Sequence, residues 1–180
     1  QITDADAGNL IVQATLGVVS GTLIASAGST GVAVSGSGTA NLSLTGTVDQ
    51  INALLQGLSS ATVQYLNNSD TPAATDTLTL RVDDQGHSGS GGALTASDSA
   101  LINVQAVNDA PQVVVPGTYT ATEQIRLSLH ATGMALNDVD TGGATVQATL
   151  SVQQGQLFVD AGTTGTIVSV SYTHLRAHET

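Results

Sequence analysis

The chain has 180 residues, 41% of them hydrophobic and only 2% aromatic, and its formal net charge is −11 with three basic residues, all Arg. That length can bury a sizeable core, and with so few aromatics the core must come from Val, Leu, Ile and Ala. The acidity excludes nucleic acid and anionic membrane as partners, because both need a basic patch, and the absence of Cys excludes disulfides and thiolate metal sites.

No apolar run approaches the roughly 20 residues that span a bilayer, so no membrane insertion is expected. Gly is plentiful at 20 residues, and Pro is scarce at 3. With Ser and Thr throughout, this composition reads as short β-branched strands joined by turns and not as a disordered linker.

In chain order, NLIVQATL (9–16) and GTLIAS (21–26) read as two strands around a Gly turn, a hairpin. NLSLTGT (41–47) alternates as a further strand. Then the period changes. Thr47-Val48-Asp49-Gln50 has the Thr-x-x-Gln pattern of a capping box, and Ile51, Leu54, Leu55 and Leu58 follow at helical spacing. The pattern predicts a helix over about 48–57 whose Leu/Ile face closes one end of a β core.

ATVQYL (61–66) and DTLTLRVDD (76–84) return to period two, separated by the turn-rich NNSDTPAA. DDQGHSGSGG (83–92) is a polar Gly loop, and LINVQAV (101–107) is the last strand of the first block. Val107-Asn108-Asp109-Ala110-Pro111 follows. Pro111 has no N–H and biases Ala110 towards an extended conformation. Asn108 and Asp109 therefore place oxygen ligands on a stiff hinge, which reads as a domain junction. ATEQIRLSLH (121–130) opens the second block as a strand.

The two blocks share a repeat. Residues 4–31 align without gaps on 138–165, an offset of 134 positions (Asp138 against Asp4). Asp4/Asp138, Asp6/Asp140, Gly8/Gly142, VQATL at 12–16 and 146–150, Gly21/Gly155, Leu23/Leu157 and Gly31/Gly165 all coincide. Such self-similarity marks a tandem array. The expected units are 1–109, lacking its first strand, and 110–170, a partial second copy. Residues 171–180, SYTHLRAHET, fit neither copy and resemble the translated read-through of a sequencing adaptor, a non-native tail.

Taken together, VNDAP after a strand, the Asp-x-Asp pairs, the GTLI/GQLF segments, TVDQINALL and DTLTLRVDDQG resemble the cadherin-like repeats (VCBS/tandem-type) of large bacterial surface adhesins. The resemblance covers residues 1–170. It implies an all-β fold of tandem cadherin/immunoglobulin-like β-sandwiches with one short helix per unit. It also implies a secreted or cell-surface protein of a Gram-negative bacterium, a structural extender in cell adhesion and biofilm. Its partners would be neighbouring repeats of the same chain and a homophilic or host cell-surface ligand, and calcium (Ca2+) often sits at the junctions of such arrays.

Ca2+ takes about six to eight oxygens from carboxylates, amide carbonyls and backbone. The acidic residues cluster where such oxygens could meet: Asp4 and Asp6, Asp83 and Asp84, Asn108 and Asp109, Asp138 and Asp140. On a strand, Asp-x-Asp puts both carboxylates on one face, where a dication would relieve their repulsion. By the cadherin pattern, Asp4, Asp6 and Asp84 (or Asp83) would share one end of a sandwich. Asn108 and Asp109 would meet Asp138 and Asp140 across the junction, with Glu123 a further candidate. The other reading is that these Asp form turns and cap strand ends without metal. The linker has no long acidic run and no Leu-Asp-Arg-Glu motif, so fewer ions per junction than in animal cadherins are expected. DADAGN has no closing Glu and is not an EF-hand loop.

No catalytic constellation emerges, and no enzyme is expected. His87 in the Gly loop lies near Asp84 and Ser88, but no nucleophile elbow accompanies it. His174 and His178 are helix-spaced within the tail. GHSGSGG has no Lys and no following helix, so it does not read as a phosphate loop. The alternative to an extender is a direct binding module for homophilic or glycan contacts. Glycans need exposed aromatics, and Tyr65, Tyr119, Phe158 and Tyr172 are the only aromatics in the sequence.

Overall fold

The structure, a computed structural model, describes residues 1–86 and 91–169. Among these it is mostly β, with one short helix, as the composition requires. It comprises two compact units, Gln1–Gly142 and Gly143–Thr180.

In the first unit β1 (Ile11–Val18), β3 (Ala33–Ser35), β4 (Asn41–Thr47), β6 (Thr75–Asp83) and β7 (Thr95–Asn103) form an antiparallel sheet in the order β3-β4-β1-β6-β7. A second antiparallel pair joins β2 (Thr22–Ser26) to β5 (Thr62–Leu66). Val12, Ala14, Leu16 and Val18 of β1, Leu42 and Leu44 of β4, and Leu23 of β2 meet in one core cluster. Val63 and Tyr65 of β5 pack against it. This two-layer aliphatic core is consistent with a β-sandwich class. The period-two pattern is visible directly in β1, whose alternate residues are buried.

The helix α1 spans Val48–Leu55 with Thr47 as its N-cap. The capping box is formed: the Gln50 amide donates to Thr47 Oγ1 at 3.2 Å, and the Thr47 amide donates to Gln50 Oε1 at 2.9 Å. Ile51 and Leu54 are buried, but Leu58 is not part of the apolar face. It stands 52% exposed in a 3₁₀ turn, Leu58–Ser60, because Gly57 takes φ +70 and ends the helix two residues before the expected boundary. Asn52 is the helix's unforeseen contribution. Its side chain accepts from the Ile2 amide and donates to the Ile2 carbonyl, both at 2.8 Å, and so ties the N-terminal segment to the core.

Several expected strands differ. β1 and β2 are not a hairpin, since both edges of β1 are taken by β4 and β6 and β2 crosses to the other layer. The crossover fits only Gly at position 21, where φ is +79 and a Cβ would lie 2.6 Å from the Leu66 carbonyl oxygen. The last strand of the first block is Thr95–Asn103 and not 101–107. Nine residues of β6 need backbone partners, and the polar TASDSA (95–100) with Leu101, Ile102 and Asn103 supplies them in register from Thr75↔Asn103 to Asp83↔Thr95. Small polar residues on an edge strand leave no apolar alternation to read. Residues 121–130 carry no strand; Gln112–Val114 (β8) pairs instead with Ala135–Asn137 (β9).

The second unit, taken by itself, has no strand among its described residues. Val146, Leu150 and Val152 are 48%, 54% and 50% exposed, whereas their counterparts Val12, Leu16 and Val18 are 1%, 4% and 9% exposed. His87, and the tail from 171 with Tyr172, His174 and His178, lie outside the described residues.

Candidate functional site

Both Asp-x-Asp pairs sit in turns, not on strands. Asp4 Oδ1 accepts the amides of Asp6 and Ala7, each at 3.0 Å, ahead of β1. Asp138 Oδ1 accepts the Asp140 amide at 3.1 Å, just after β9. In each copy the first carboxylate is turned back onto the second residue's amide. The two side chains therefore do not stand side by side on a pleated face, and the repulsion argument from strand geometry does not apply.

Of Asn108, Asp109, Asp138 and Asp140, expected to meet at a junction, Asp109 and Asp140 are in contact, both within the first unit. The Asp109 amide donates to Asp140 Oδ2. Asn108 Nδ2 donates to the Asp109 carbonyl at 3.1 Å. A cleft of about 130 Å³ lies alongside, lined by Asp70, Asp109, Asn137 and Asp138 among others. Asp70, from the turn between β5 and β6, is a carboxylate that pattern reading passed over as turn chemistry.

The other acidic residues are engaged locally. Asp84 Oδ1 accepts the amides of Gly86 and Leu94 at 2.8 and 2.7 Å, closing the loop that follows β6. Asp83 Oδ1 accepts the Gln85 amide at 2.9 Å, and its Oδ2 stands 3.6 Å from Arg81 Nη2, a half-exposed pair of small energetic weight. Among the described residues, no group of three or more His, Cys, Asp or Glu is placed to hold a metal ion. No protein-family model matches the chain, nor does any curated protein or solved structure.

Among the described residues, five hydrogen bonds converge on one carboxylate that motif reading missed. Asp76 opens β6 and is 4% exposed. Its Oδ1 accepts the amides of Val19 and Thr77 at 2.9 and 2.7 Å. Its Oδ2 accepts the Ser20 amide and hydroxyl, each at 3.0 Å, and the Tyr65 hydroxyl at 2.9 Å. Burial pushes this carboxyl up. The hydrogen bonds from the Thr77 amide, the Tyr65 hydroxyl and the Ser20 and Val19 amides outweigh burial and lower its pKa from 3.8 to about 2. The signal was present in the sequence: Asp76, Leu78, Leu80 and Val82 fall on one face, so a strand at that period buries the Asp. With every acceptor lone pair used within the fold, Asp76 is an architectural group and holds no ligand.

Around the junction cleft the donors are all hard oxygens, the set that suits Ca2+ and not a thiolate- or imidazole-seeking metal. What the residues offer is the Asp138 and Asp140 carboxylates, each already accepting a backbone amide, an open and partial shell.

Proposed function

We propose that this chain is a structural extender module of a secreted or surface-anchored bacterial adhesin, serving adhesion and biofilm. Units of this kind, strung end to end, would hold a binding tip away from the cell. The reading is supported by the gapless repeat of 4–31 on 138–165, by the resemblance to cadherin-like adhesin repeats, and by the aliphatic two-layer core. The observation that carries it is the Asp109–Asp140 contact, where the hinge after the last strand of one block meets the Asp-x-Asp turn of the next repeat copy. A tie at that point restrains the hinge, as an extender requires.

Calcium is the ion this site would take. Asn108, Asp109, Asp138 and Asp140 would supply its oxygens, and since no three carboxylates converge among the described residues, this chain would provide only part of the shell. A bound dication would neutralise neighbouring carboxylates and link the stiffness of the hinge to external calcium. An open shell of this type fits the weak range of extracellular modules, about 10⁻⁴–10⁻³ M.

The test is a thermal melt of the chain in a few millimolar calcium against excess chelator, repeated with Asp138→Asn/Asp140→Asn. At that affinity, bound ion stabilises by about 1–2 kcal/mol. The expected result is a calcium-dependent rise in melting temperature that the double change reduces. The absence of any shift would remove calcium from the reading and leave the Asp pairs as turn formers.

A further inference from the structure

No further inference is drawn: the strongest candidate, the half-open inner face of the large sheet formed by Leu78, Leu80 and Val82 of β6 with Ala100 and Ile102 of β7, beside the free edge of β7, carries none because nothing in the structure shows what covers it.

Discussion

The Tyr65 hydroxyl donates to Asp76 Oδ2 at 2.9 Å and so bridges the two layers of the first unit, from β5 to β6. The same carboxylate holds the Val19–Ser20 turn where the chain crosses between layers. One buried anion thus fixes three segments that are 11 to 57 positions apart in sequence. Tyr65→Phe keeps the ring and removes the donor. It should lower the melting temperature of the first unit by roughly 2–5 °C, the effect of one hydrogen bond of ordinary strength in a domain of this size. An unchanged melt would mean that the bridge carries no weight.

Acid should unlatch this constellation. The folded pKa of Asp76 is depressed from 3.8 to about 2, so its contribution is fully present above 3.8 and disappears as pH falls through about 2. Asp76→Asn should therefore melt lower than the parent at neutral pH. Its deficit should shrink as pH drops from about 4 to 2. A deficit that stays constant across that window would contradict the assignment.

Identical leucines provide an internal control. Leu16 and Leu150 occupy the same place in VQATL, yet they are 4% and 54% exposed. Leu16→Ala should cost about 2–5 kcal/mol in a denaturant titration. Leu150→Ala should stay within about 0.5 kcal/mol of the parent. Equal costs would show that the second copy is packed as a strand.

The repeated glycines make a similar pair. Gly21 and Gly155 both have positive φ, +79 and +90, but a Cβ at Gly21 meets the Leu66 carbonyl oxygen at 2.6 Å, while a Cβ at Gly155 meets nothing within 4 Å. Gly21→Ala adds a backbone clash to the left-handed penalty of about 1–2 kcal/mol. It should depress the melt of the first unit well beyond Gly155→Ala, which should leave that melt in place.

The helix cap is a smaller and separable term. Thr47→Ala removes the acceptor for the Gln50 amide and should cost about 0.5–2 kcal/mol. Thr47→Ser keeps the hydroxyl and should restore most of it. Chemical denaturation of the three proteins side by side decides the matter.

The repeat separates what the sequence by itself determines from what tertiary structure decides. Gly8 and Gly142 take φ +51 and +53, and Gly28 and Gly162 both take +55. Thr30 Oγ1 donates to the Ala27 carbonyl at 2.8 Å, and Thr164 Oγ1 to that of Ala161 at 2.7 Å. These turns close through bonds two or three residues apart, so the same residues make the same turn in both copies. The capping box at Thr47 and Gln50 was legible for the same reason.

VQATL has the same alternation in both copies but is a strand only in the first. A strand's amides and carbonyls are satisfied by other strands, and β4 and β6 supply them to β1 from 24 to 70 positions away (Gly17↔Asn41 to Gln13↔Asp83). Residues 145–152 have no such partner among the described residues of their unit. The polar edge strand β7 and the crossing of β2 to the second layer were likewise beyond pattern reading. Local chemistry fixed the turns and the cap; only the assembled partners decided which alternating segments became sheet.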